Sequence, residues 1–553
     1  MAPLDSRSRD RKPAPSGRGA GWGGRWGLLL VWGAVGGCVM LPLGAVVVRT
    51  LGGVGAIGGA EVIPSPAGLA ALSRSAGYAA LIATLATVLA WPVAVAVSRA
   101  RAAWLVVVGT PMLLPAYLAY AGWSIARAPT SPLGRLIGAA PERGMEWLPM
   151  LVGRGLAVWG LALWAWPLAA VVIAAGLRAV DAQVGESLRL ERVGPFGRAR
   201  TLGRAAWPSV AAGWALVALV MLGSAVPLHV ARVETYAIRV WMALDEHPGE
   251  PWRAWVVAWP LVAVAAAAGW VLSGRLAGAG RRLALLAAEE ARPARVSVGA
   301  IAAAGVAWAL AVVVPFGLFW SSMGGVGAIG RLIDRAGVGL ATSGGVGAAV
   351  GAASAVLAMG AAQAAGAARG RLGSLRVALA VGLAWALVPG VLAGAAVAQF
   401  VRVLPEAVGD SVAPMVLAHL SRVAFLPLLV GVWVGSSEAG GIAEARLVDG
   451  ALGVGSWVRT SLRSALGPAL GVGFACGCLS FHEIESSVQV QTPGIDHMAQ
   501  RLLQWLHYER MAELSAAGVL LLGVGIVVGL GVSAGVLIAG GRSRSRTLDD
   551  PGR

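Results

Sequence analysis

The sequence predicts an all-α, polytopic membrane protein of about twelve transmembrane helices, laid out as two like halves of six. Three observations carry that reading. The 553 residues are 57% hydrophobic and only 13% charged, with mean hydropathy +0.74, more apolar surface than a water-soluble core can hide. The apolar residues fall into runs of about 20, the length that crosses a hydrocarbon layer of about 30 Å. Finally, the heptad Gly52-Gly53-Val54-Gly55-Ala56-Ile57-Gly58 recurs letter for letter as Gly324-Gly325-Val326-Gly327-Ala328-Ile329-Gly330, the mark of an internal repeat.

In order, a polar, basic tail (1–25) leads to Trp26–Val48, too long for a signal-peptide core and so a retained span. The first half (26–272) continues with Gly77–Val97, Ala103–Trp123, Leu156–Leu177, Val210–Leu228 and Ala254–Leu272. A linker (273–297) follows, rich in Arg and Glu. The second half (298–540) supplies Val298–Trp320, Thr342–Ala365, Val377–Val397, Met415–Val434, Leu466–Ile484 and Leu514–Ile538, before a basic tail (541–553). An even number of spans puts both termini on one side. With that side cytoplasmic, the inside segments hold 29 of the 44 basic residues, the excess that orients membrane proteins. The net charge of +17 then belongs to lipid headgroups and orientation, and nucleic acid is not an expected partner. Cys38, Cys476 and Cys478 form no metal-ligand framework, and the last two read as small packing residues inside a span.

The halves match at further places. Tyr236-Ala237-Ile238-Arg239 aligns with Met498-Ala499-Gln500-Arg501, and the polar run from Glu186 to Gly194 aligns with that from Glu444 to Gly450, at offsets of 262 and 258 residues against 272 for the heptad. Six spans per copy make the repeat parallel, with a path between the halves. The two polar runs lie in inward loops, 180–207 and 436–465. In the first, Asp181 is a plausible N-cap and Val180, Val184 and Leu188 form a narrow apolar stripe at i+4 spacing. Such a helix suits a groove on a soluble partner or a bed of headgroups. Its duplication favours a partner that is itself a symmetric dimer.

Glu444-Ala445-Arg446-Leu447-Val448-Asp449-Gly450 resembles the Glu-Ala-Ala-x-x-x-Gly motif of permease subunits of binding-protein-dependent ABC importers, with Arg446 in place of the second alanine. Glu186-Ser187-Leu188 keeps the glutamate, but Arg192 stands where the glycine should be and Gly194 follows two residues late. Leu420–Pro427, Val226-Pro227-Leu228, Glu483–Ser487 and Arg501–Tyr508 are similar to stretches of the fused, two-half permeases of the iron(III) importer group. The resemblance covers nearly the whole chain. It implies a type I importer permease of the bacterial inner membrane, with Glu186, Ser187, Leu188, Gly194, Glu444, Ala445, Arg446 and Gly450 coupling it to a cytoplasmic ABC ATPase dimer. That partner would hold the ATP and Mg, and a periplasmic or lipid-anchored substrate-binding protein would deliver the substrate, iron(III) by the same resemblance.

This chain carries no ATP site of its own. A P-loop needs Gly-Lys-Ser/Thr, and the single lysine, Lys12, is followed by Pro13. A gradient-driven transporter would need polar groups within the spans; Arg422, Glu483 and Glu485, with His419 and His482, are the residues on offer as path or gate. His482, Glu483, Glu485, Asp496 and His497 also have the donor types of a metal site, although the resemblance leaves recognition to the binding protein. A membrane enzyme would need ordered acid and base groups in a large polar loop, and the loops 126–150, 229–253 and 486–513 show none.

Overall fold

Apolar runs of this length can satisfy their backbone groups in a bilayer only as helices or closed barrels, and among the described residues only helices form. The computed structural model describes residues 22–53, 64–98, 107–178, 193–288, 298–367, 372–438, 454–481, 483–492 and 494–527. It also describes positions 180, 184, 187–188, 190–191, 442, 445–446, 448 and 530.

The helices that build the bundle are α1 (Trp22–Val35), α2 (Leu41–Gly53), α3 (Pro66–Ser98), α4 (Ala116–Ser124), α5 (Leu148–Arg178), α6 (Pro195–Ala205), α7 (Trp207–Gly223), α8 (Val226–Val230), α9 (Tyr236–Glu246) and α10 (Trp252–Ala288). The second half continues with α11 (Val298–Trp308), α12 (Val314–Ser322), α13 (Gly327–Ala367), α14 (Gly373–Leu387), α15 (Gly390–Val401), α16 (Ala413–Val423), α17 (Phe425–Ser436), α18 (Val454–Thr460), α19 (Leu462–Phe481), α20 (Ser487–Val490), α21 (Met498–His507) and α22 (Met511–Val527).

The protein is a polytopic membrane protein. Among the described residues seven helices are long and apolar enough to cross a bilayer, or up to ten if each bent pair counts as one span. The expected straight spans differ from this for a physical reason: an apolar run records burial but not a bend. The run 377–397 folds back by 110° between α14 and α15, and α16 meets α17 at 52°. The run 103–123 breaks before α4 at Pro115, and the last run is described continuously only through Val527. Pro115 and Pro389 cause their breaks by removing a backbone donor and forcing the preceding residue out of the helical region; Val388 is accordingly extended, at φ −66° and ψ 145°. Pro42 and Pro315 are accommodated differently, each just after a five-residue π-turn, Gly36–Met40 and Ala309–Val313.

Helices α13 and α19 cross closely. A Cβ added to Gly351 would lie 2.8 Å from the carbonyl oxygen of Gly473, and one on Gly477 2.8 Å from that of Gly347. Backbone meets backbone here because both helices present small residues, the usual solution where lipid removes the hydrophobic drive between helices. Cys476 is buried beside this seam, in the packing role its spacing predicts.

Hydrogen bonds define the two faces. The backbone amide of Tyr236 donates to Ser75 Oγ (2.8 Å) and its hydroxyl to the Val257 carbonyl (2.8 Å), so these ends of α3 and α10 share a face with α9. The other ends gather on the loop face. There Trp433 Nε1 donates to the Leu276 carbonyl (2.9 Å), and Arg178 donates to the carbonyls of Val97 (3.0 Å) and Ser98 (3.1 Å). On the opposite face the α9 construction recurs at α21: the Met498 amide donates to Ser343 Oγ (2.8 Å). Arg239 pairs with Glu234 (2.9 Å) before α9, and Arg501 pairs with Asp496 before α21.

Candidate functional site

Pro389 leaves one helix ending and another beginning inside the bundle, with unsatisfied carbonyls on one side and unsatisfied amides on the other. Arg422, on α16, donates through Nη1 to the carbonyls of Ala386 (2.8 Å) and Val388 (2.5 Å). Glu485 accepts the Gly390 amide at Oε2 (3.1 Å). The cation thus meets the carbonyl end and the carboxylate the amide end, the sense that helix dipoles favour.

The other oxygen of Glu485 crosses to the first half. Oε1 accepts from the amides of Ala225 (2.7 Å) and Val226 (3.2 Å) and from Ser224 Oγ (3.2 Å), at the turn from α7 to α8. Only 7% of Glu485 is exposed, so a nearly buried carboxylate with four donors ties the 224–226 turn to the α14–α15 break. Glu483 stays local, accepting from the amide and hydroxyl of Ser486 (both 3.1 Å). Glycine is required for the approach: a Cβ on Gly390 would stand 2.6 Å from that of Glu485, and one on Gly394 2.5 Å from the Ser486 carbonyl. The first-half break is capped more simply, by Trp164 Nε1 donating to the Leu114 carbonyl (2.8 Å).

His419 lies fully buried on α16, with Nδ1 2.8 Å from Ser480 Oγ, Nε2 2.6 Å from Ser487 Oγ, and its ring edge-on to His497 at 5.5 Å. The described donors considered for an outward metal site have other partners. Glu485 is held by backbone amides, Asp496 by Arg501, and His497 packs on His419, while His482 lies outside the described residues. Among the described residues no three His, Cys, Asp or Glu side chains converge as metal ligands.

On the loop face, Glu186, Glu444 and Gly450 lie outside the described residues; Ser187, Leu188, Gly194, Ala445 and Arg446 lie within them. Ser187 and Ala445 are exposed, whereas Leu188 is buried at 9%. Gly194, read from the spacing as a displaced motif glycine, is the N-cap of α6 at φ −62° and ψ 164°, a conformation open to any residue. Arg446, the departure from the motif, turns back into the bundle. Its guanidinium pairs with Glu438 and donates to Ser461 Oγ (3.0 Å) and Thr460 Oγ1 (3.3 Å), while Ser461 also donates to Glu438. The pair is 11% and 10% exposed and sits where α17 ends and where α18 meets α19. Across from it, a Cβ on Gly366 would come within 2.8 Å of Glu438. The second loop is thus anchored to three helix ends.

Compared with known proteins, the chain matches no family model, no curated protein and no solved structure.

The opposite face carries a cavity of about 520 Å³ between the halves, lined by His229, Arg232, Glu234, Leu506, His507 and Glu509. The Arg239 hydrogen bond holds the Glu234 carboxyl below its usual range, and burial together with the nearby His507 lowers the His229 imidazole. Motif reading missed Glu438, Ser461 and Trp164. One signal was available: an arginine at an alanine position of a loop tied to helix ends needs a counterion, and Glu438 is the nearest acid upstream that the structure describes.

Proposed function

We propose that the chain is the permease subunit of an ATP-driven importer, with two duplicated six-span halves forming the path. Its two inward loops, carrying Glu186 and Glu444, would dock on a separate cytoplasmic ABC ATPase dimer. The observation that carries the reading is the recurrence of whole constructions, not letters alone. The π-turn before Pro42 and Pro315, the breaks at Pro115 and Pro389, the serine-hung helices at Tyr236 and Met498, and the ion pairs beside them repeat at offsets of 262 to 274 residues. The anchoring of Leu188 and Arg446 on one face supports loops that transmit force, and the cavity on the other face suits a delivering binding protein. Energy from ATP is then spent on shifting a bistable pair of bundles. Both termini would be cytoplasmic in a bacterial inner membrane, and iron(III) as cargo rests on the resemblance of the motifs alone.

A gradient-driven transporter is the second reading, favoured by the burial of His419 and Glu485 within the bundle. One experiment separates the two. The full chain is purified from its native membranes and the preparation assayed for ATP hydrolysis, with Glu444→Arg as the variant. A stoichiometric ATPase that is lost or uncoupled in the variant is the expected result. A chain that purifies alone, with uptake that survives Glu444→Arg and collapses with the proton gradient, overturns the importer reading.

A further inference from the structure

The helix that follows the first loop, α6, meets α7 at 80°. With α7 crossing the membrane, α6 lies along its plane. Its sequence sets Arg198, Arg200 and Arg204 beside Phe196 and Leu202 with no acidic residue, the make-up of a helix lying among headgroups. Phe196 and Trp207 are 83% and 64% exposed, and a tryptophan at that depth marks the membrane interface.

Between α6 and α3 lies a cavity of about 490 Å³, walled by Trp91, Ala199, Gly203, Trp207 and Val210, with Arg200 and Arg204 at its rim. Gly203 faces the Trp91 ring across it: a Cβ there would sit in ordinary contact at 3.6 Å, so a longer side chain would enter the slot. Among the described residues no carboxylate pairs with either rim arginine. The corresponding α18 is built otherwise, for Arg459 Nε donates to the Gly455 carbonyl (3.2 Å) of its own helix.

We propose that this cavity is a binding site for one anionic phospholipid of the leaflet on the loop face, its phosphate on Arg200 and Arg204 and an acyl chain along Trp91, Trp207 and Val210. Two cations above an apolar slot fit a molecule that is anionic at one end and apolar at the other. A free phosphate would leave the slot empty, and a zwitterionic lipid would leave the arginines without a net counter-charge. Arg200, Gly203 and Arg204 lie in the loop 180–207 but are not among the residues assigned to coupling, so the inference does not depend on the importer reading.

The test uses the full chain in nanodiscs of phosphatidylcholine with a minor fraction of phosphatidylglycerol, reading retained lipid by native mass spectrometry. Each arginine near an anionic surface contributes about a fivefold gain in affinity, so Arg200→Gln with Arg204→Gln lowers phosphatidylglycerol retention by about thirtyfold. Gly203→Leu fills the slot without touching a charge and lowers retention as well. Loss in the arginine variant with full retention in Gly203→Leu overturns the proposal in favour of diffuse attraction. Equal displacement by millimolar inorganic phosphate overturns it in favour of a simple anion site.

Discussion

Arg446 and Glu438 offer the sharpest test of how the second loop is held. The pair is about 90% buried by both side-chain exposures, so each ion depends on the other and on Ser461 for what water no longer supplies. Removing one partner of such a pair costs about 3 kcal/mol, because the survivor is left buried without a counter-charge, whereas replacing both with apolar residues is close to neutral. The chain itself supports the second half of that statement: at the aligned position of the first loop stands Leu188, buried without an ion pair. Arg446→Leu and Glu438→Leu alone should each raise the local opening constant by about two orders of magnitude, the equivalent of 3 kcal/mol. The double variant should fall near the parent. Hydrogen exchange over α17 and the start of α19, read by mass spectrometry on the detergent-solubilised chain, measures this directly. If the singles exchange like the parent, or the double loses as much protection as the sum of the singles, the anchoring argument is wrong.

Three further outcomes are expected. Gly351→Ala should cost about 1–3 kcal/mol by forcing a methyl against the Gly473 carbonyl, while Gly344→Ala on the same helix, where a Cβ meets nothing within 4 Å, should be neutral or slightly stabilising; thermal unfolding in one detergent compares them. Glu485→Gln puts an amide donor against backbone donors and should cost about 1–3 kcal/mol, seen as faster exchange at 224–226 and 390–394 together, so protection unchanged at either segment would contradict the bridge. Because Arg239 lowers the Glu234 carboxyl, the stability it gives is full above the ordinary value of 4.5 and is lost as pH falls through the lower folded value. The loop before α9 should therefore loosen only on strong acidification, and by little, since Glu234 is half exposed; a loosening centred above pH 5 would point to another group.

The sequence made the membrane class and the position of most helices plain, because burial in lipid is written in composition and run length. It did not show the bends. The run 377–397 reads as one span since Pro389 sits among residues as apolar as those of a straight helix, and only the partners of the break, Arg422 and Glu485, reveal what a proline does there. Those two residues were visible as anomalies, charges where charges are costly, but their roles were not, since Glu485 finds its donors about 260 and 95 residues away in sequence. The loops were legible as polar runs between spans, yet the anchoring of the second lies in Glu438 and Ser461, outside the run from Glu444 to Gly450.

On the duplication proposed above, the halves share a backbone plan and differ in chemistry at each load point. The first half caps its broken helix with an indole and buries a leucine in its loop; the second uses a guanidinium and an ion pair for the same two tasks. Packing by Leu188 degrades gradually as helices slide, since dispersion is summed over many weak contacts. A buried ion pair holds until it opens and then loses most of its worth at once. On the proposed reading of a pair of bundles driven between two states, the pair should therefore bend in its first half and switch in its second. The predicted sign is that Glu438 and Arg446 singles shift the balance between states, while Leu188→Ala only softens both. Distances between labels on α5 and on α17, measured in the parent and in each variant, decide this: a two-peaked distribution that redistributes is expected for the ion-pair variants, and a single broadened peak for Leu188→Ala.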